Sequence, residues 1–133
     1  MKKEKIPKTH PYYKYSSVSR TIVRISWLFH FIIELTDRLL NEPEKKLSKI
    51  AKEAYKVTLG PHHPLLVREV ASIAFLACPN RNKFLESFVG KEIDEEEKAK
   101  RLEMIKAGMK EVWEKVMKEI TDNNYEKLPW ARL

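Results

Sequence analysis

Arg20 and Arg24 stand four residues apart in "SRTIVR", a spacing that on a helix projects both guanidinium groups from one side toward a single anion. Two planar forks of fixed donors suit a phosphate better than a sugar or a neutral amide. A solvent-exposed pair at a helix start is the plainer alternative that spacing leaves open. One turn beyond Arg24 the chain turns almost wholly apolar, so the pair stands where a polar rim would meet an oily interior. Trp27 and Phe31 continue the same stripe, which therefore runs from two cations to two aromatics, the polarity profile of an amphiphile with an anionic head and a hydrocarbon tail. A second boundary of this kind lies in "GPHHPLLVREVASIAFLACPNR". His63 heads an apolar run there and can donate to a phosphate or a carbonyl, while His62 is expected to face solvent. The adjacent histidines lack any Cys, Asp or Glu at ligand spacing, so no metal site is expected. Only Glu69 lies near enough in sequence to orient a histidine, and nothing places it, which argues against catalysis and against a cofactor.

The elements that must position these groups are helices. The chain has three glycines, no run alternates apolar and polar residues over a strand's length, and long stretches repeat with helical spacing. A first helix runs to about Leu40, with Ser16, Ser17 and Ser19 as candidate caps. Between Ile25 and Ile33 only Ser26 and His30 are polar, so this helix is expected to be covered on more than one side. A second spans Glu44 to Leu59 and stops at Gly60, and a third runs from about Pro64 to Ala77 as a core helix. After a break at Pro79 comes a short helix with Phe84, Leu85 and Phe88, closed by Gly90. The last begins at the acidic run from Asp94 and spaces Leu102, Ile105, Met109, Val112, Trp113, Val116 and Ile120 by threes and fours. Residues 1–16 carry lysines, prolines and tyrosines that bury poorly, and are expected to form a basic flexible arm ahead of one helical domain over residues 17–133. Two helices apolar nearly all round leave more oily surface than the others can cover, so a bound apolar ligand, a partner subunit or further chain is expected over the excess.

At 133 residues one domain is expected, and the net charge of +7 predicts an anionic partner without choosing among nucleic acid, phospholipid and phosphorylated ligand. Charge and aromatics alone do not make a nucleic-acid module, and none is expected. The single cysteine, Cys78, excludes an internal disulfide, and no signal-peptide pattern opens the chain, so a cytoplasmic setting is the default. The apolar stretch from Ile25 to Leu35 is broken by His30 and Glu34 and falls well short of the ~20 residues that a membrane span needs.

Taken together, the segments "SRTIVRISWLFHFIIELTDRLL" and "AKEAYKVTLGPHHPLLVREVASIAFLACPNRNKFLESFVG" resemble the carboxy-terminal portion of the glycolipid transfer protein superfamily, and particularly its ceramide-1-phosphate transfer branch. The resemblance rests on R-T-x-x-R at Arg20, Thr21 and Arg24, on A-Y ahead of H-P at His63 and Pro64, on Arg68, and on A-F-x-x-x-P-x-R-x-x-F-L-E from Ala74 to Glu86. It runs from Ser19 to Gly90, more weakly through the last helix, and not through residues 1–17. It implies an all-α, two-layer helical sandwich with lipid chains between the layers and the head group in a surface cleft. It further implies that Arg20 and Arg24 bind phosphate and that His63 contacts the ceramide amide oxygen. Leu65 stands where the family usually has a tryptophan after H-P. Family members also begin with additional helices, one bearing an aspartate for the sphingoid amide, that have no counterpart in residues 1–17. The expectation is a partial domain, truncated or completed by a second copy or another polypeptide.

The function these residues lead one to expect is non-enzymatic transfer of a phosphorylated sphingolipid between membranes. Arg20, Arg24 and His63 would hold the head group, with Trp27, Phe31, Ile32, Leu35, Leu66, Val70, Ile73 and Ala74 lining the chains. The protein would be peripheral and touch an anionic membrane surface transiently, helped by Tyr12, Tyr13, Tyr15 and Trp130. The alternative is an assembly protein whose apolar layer serves as an oligomer interface and transfers nothing.

Overall fold

The computed structural model of the chain describes residues 18–124. The arm expected over residues 1–16, the candidate caps Ser16 and Ser17, and Trp130 lie outside the described residues. Among the described residues five α-helices follow one another: α1 (Val18–Asn41), α2 (Leu47–Val57), α3 (Leu65–Ala74), α4 (Arg81–Val89) and α5 (Glu95–Asp122). Single 3₁₀ turns, Gly60–His62 and Phe75–Ala77, precede and follow α3. No strand occurs among the described residues.

The longest helices, α1 and α5, pack against each other antiparallel. Val23 near the start of α1 shares a cluster with Ile120 near the end of α5, while Leu39 near the end of α1 meets Leu102 near the start of α5. Asp37 accepts from Lys106 Nζ at 2.6 Å along the same seam. The main core gathers Leu39, Leu47, Ile50, Leu85, Val89 and Leu102 from four helices, which is what the threes-and-fours spacing of these segments requires. Buried hydroxyls on α1 and α2 return to their own helices: Ser26 donates to Val23 O at 2.5 Å, Thr36 to Ile32 O at 2.7 Å and Thr58 to Ala54 O at 2.7 Å. Each is thereby satisfied without a partner from another element.

Local chemistry sets the helix ends. Asp94 Oδ1 accepts from Glu97 N at 2.7 Å and Asn80 Oδ1 from Lys83 N at 2.9 Å, so α5 and α4 both start on side-chain caps. Gly90 ends α4 at φ +115°, a conformation that disfavours any residue with a Cβ. Arg81 turns back from the start of α4 to the end of α1, donating through Nη1 to Glu42 O at 3.1 Å and Lys45 O at 3.3 Å, and through Nη2 to Leu39 O. The α1–α2 connection is held further by Arg38, Glu34, Glu42, Lys45 and Glu53. Within that network the hydrogen bond from Lys45 holds the Glu53 carboxyl below its ordinary range.

Four expectations are corrected. Ser19 is not a cap but sits inside α1, 1% exposed. The second helix is shorter than Glu44–Leu59, because Gly60 and Pro61 open a 3₁₀ turn rather than simply ending an α-helix. Most consequential, α3 is no core helix: none of its residues is buried. Among the described residues nothing covers its outward side, so Leu66 is 71%, Val70 60% and Ile73 69% exposed. Ile25 and Leu28 on α1 are exposed as well, so α1 is buried along a stripe and not all round.

Candidate functional site

Arg20 and Arg24 occupy the first two turns of α1, and both are partly buried. One turn on, Trp27 serves two neighbours. It packs against the Val23–Ile120 cluster, and its indole stacks on the imidazole of His62 with centroids 4.0 Å apart and planes 5° apart. His62 is therefore half-buried and not solvent-facing as the sequence suggested. That stack ties the histidine turn to α1 just beyond Arg24. Burial pushes His62 below the ordinary imidazole value, and the charges of His63 and His30 push in the same direction. His30 itself stacks on Trp113 of α5 at 5.3 Å.

His63 follows the 3₁₀ turn, with Pro61 and Pro64 restricting the backbone around the pair. Its Nδ1 lies 2.5 Å from the Tyr55 hydroxyl. Burial lowers the His63 pKa and raises that of Tyr55, the latter against the opposing charge of Arg68, so both groups are neutral at pH 7. The direction of this hydrogen bond follows the imidazole tautomer: with the phenol donating to Nδ1, the ring proton is on Nε2. The ring then offers one N–H suited to a carbonyl oxygen. Sequence reasoning marked Tyr55 only as part of the A-Y ahead of H-P and missed its contact with His63: it lies on α2, eight positions from His63, and no helical or strand period links residues across a 3₁₀ turn.

The structure divides the expected chain-lining residues between two helices. Trp27, Phe31, Ile32 and Leu35 are partly buried on α1, with Leu35 packed against the main core. Leu66, Val70, Ile73 and Ala74 lie on exposed α3. Among the described residues, no group of three or more His, Cys, Asp or Glu is placed to hold a metal ion, and no helix is long and apolar enough to cross a membrane.

The chain is 42% identical over 71 residues to the ceramide-1-phosphate transfer protein of Xenopus tropicalis, a match covering 50% of this chain and 32% of that protein. It is 33% identical over 81 residues to the protein of the same name from Mus musculus, covering 60% and 37%. The chain thus spans about a third of the length of these curated relatives. Among solved structures, the mouse ceramide-1-phosphate transfer protein in its apo form superposes with a TM-score of 0.76 at 26% identity, covering 92% of this chain and 58% of the other. The human ceramide-1-phosphate transfer protein in complex with 12:0 ceramide-1-phosphate superposes with a TM-score of 0.77 at 22% identity and the same coverage, a likeness of fold. The sequence model of the family described as Glycolipid transfer protein (GLTP) matches residues 1–90, so the likeness reaches into the first 17 residues, where the motifs alone revealed none. With more than half its length matched and its helices in the arrangement of those structures, the chain belongs to the glycolipid transfer protein family.

Proposed function

We propose that this chain binds a phosphorylated sphingolipid of the ceramide-1-phosphate type and takes part in its transfer between membranes. In this reading Arg20 and Arg24 grip the phosphate and the His63 Nε2–H donates to the amide carbonyl. Phe31, Ile32 and Leu35 of α1 and Leu66, Val70, Ile73 and Ala74 of α3 receive the hydrocarbon chains, with Trp27 between the arginines and the apolar stretch. Burial of each methylene contributes ~0.8 kcal/mol, so the chains supply most of the affinity and the charged rim selects the head. No bond is made or broken, and the protein is a carrier. The basic arm and Trp130 are assigned to transient contact with anionic lipid.

The observation that carries this reading is the Trp27–His62 stack, which ties the histidine turn to α1 one turn beyond Arg24, in a chain whose relatives are named ceramide-1-phosphate transfer proteins. The test is vesicle-to-vesicle transfer of labelled ceramide-1-phosphate. Arg24→Ala is expected to cut the rate by at least about tenfold, since a charged hydrogen-bond partner is worth roughly 1.5–3 kcal/mol. Equal transfer by the wild-type and Arg24→Ala proteins would sink the assignment.

A second reading has its own support. The exposed Leu66, Val70, Ile73 and Leu76 form an apolar face of the kind that oligomers bury, and a protein using it for assembly would sediment as a stable oligomer and transfer no lipid.

A further inference from the structure

Three imidazoles stand close together: His62 lies face-on against Trp27, His63 shares a hydrogen bond with Tyr55, and His30, one turn beyond Trp27, stacks on Trp113 of α5. The turn that carries His62 and His63 leans with its backbone on α2 more than on α1. Its link to α1 is made by side chains, and the Trp27–His62 stack supplies it. The two halves of that stack are unequal. Trp27 is also packed into the Val23–Ile120 cluster and forms a fixed platform, whereas His62 ends a three-residue turn that opens on Gly60. His62 is therefore the half free to leave. Its surroundings disfavour a charge. On its own turn stands His63, on α1 His30 and Arg24 flank Trp27 in sequence, on α2 Lys56 follows Tyr55, and from α3 the stem of Arg68 passes beside Gly60. The carboxylates of the neighbouring helices, Glu34, Glu53, Glu69 and Glu114 among them, are not among the groups that act on His62. Burial and the charges of His63 and His30 all oppose its protonation. A proton added to this ring is left half-buried without a counter-charge, and swinging off the indole into water relieves it.

We propose that the Trp27–His62 stack is an acid-sensitive clasp on the head-group site: closed while His62 is neutral, it positions His63 against α1, and protonation of His62 opens it and loosens the hold on cargo. His62 is thus a positioning residue that acts through His63 and not on the lipid itself. Because its folded-state value lies below the ordinary imidazole value, the clasp is closed at pH 7 and opens as pH falls through that depressed value. The inference rests on the reading of Arg20, Arg24 and His63 as the head-group site, and adds to it the condition under which that site lets go.

Proton NMR of the full chain reads the clasp directly. At pH 7 the His62 ring protons are expected upfield, shielded by the indole face, and that shielding is expected to vanish as the ring titrates on the way to pH 5. Trp27→Leu is expected to lack the shielding at pH 7 and to bring the His62 titration closer to the ordinary value of about 6.5. An upfield shift that survives protonation, with the imidazolium held by the attraction of an indole face for a cation, overturns the proposal. The positioning role is read from the affinity for a short-chain ceramide-1-phosphate at pH 7 and pH 5. The loss of affinity between the two is expected to be at least about threefold greater for wild type than for His62→Phe, the scale of one aromatic pair. Protonation of the lipid phosphate is common to both proteins and cancels in that comparison. Equal losses overturn the positioning role. Arg24→Ala separates the two proposals: if it binds as tightly as wild type at pH 7 the head-group reading fails, whereas if it binds weakly and the losses of wild type and His62→Phe are equal only the clasp fails.

Discussion

Two neighbouring histidines show how much one residue's fate depends on what it touches. His63 shares a hydrogen bond with Tyr55, and His62 lies flat on Trp27, yet burial lowers the pKa of both. Each folded-state value lies below the unfolded one, so between the two the unfolded chain binds more protons and stability rises with pH. Their contribution is fully present above the ordinary imidazole value of about 6.5 and is lost as pH falls through the depressed folded values. Thermal melts at pH 7 and pH 5 are expected to show a lower Tm at pH 5. His62→Phe, which keeps an aromatic on Trp27 but cannot be protonated, is expected to flatten that dependence. An unchanged slope would mean that His62 is not held neutral by the fold.

At the scale of elements, the join of α1, α2 and α4 depends on Arg81. Its guanidinium reaches the carbonyls of Leu39, Glu42 and Lys45, acceptors at and just beyond the end of α1. A lysine offers one point charge in place of a planar fork, so Arg81→Lys is expected to lower unfolding stability by about 2 kcal/mol in urea titration. A loss of less than about 0.5 kcal/mol would show that the carbonyls find water as readily. The sequence drew attention to Arg81 only as part of the family-like string from Ala74 to Glu86; its capping of a helix some forty residues upstream follows no local period. The caps at Asn80 and Asp94 and the stop at Gly90 lie within three or four residues of the groups they serve. Asp94 and Gly90 were accordingly legible, as was the order of five helices.

For the whole molecule, the decisive feature is the uncovered side of α3. Leu66→Gln/Ile73→Gln is expected to change unfolding stability by no more than about 0.5 kcal/mol, because both side chains are mostly exposed, and yet to abolish transfer of labelled ceramide-1-phosphate. A loss of several kcal/mol that grows with protein concentration would instead place that face inside an oligomer. Composition already indicated that the chain carries more oily surface than its own amphipathic helices cover, and the outward Leu66, Val70, Ile73 and Leu76 are where part of it stands. It did not indicate which helix: α1 and α3 looked equally apolar, but α1 lies against α5 and α2 while α3 is left with one side open. By itself, then, the sequence determined the all-helical class, the ends of α1 and α4 and the family motifs, because periodicity, capping and glycine conformation act over a few residues. Tertiary structure alone decided that His62 meets Trp27, that Tyr55 orients His63 and that Lys52, Lys56 and Arg68 share a cavity, because each joins residues on different elements whose approach only packing can set.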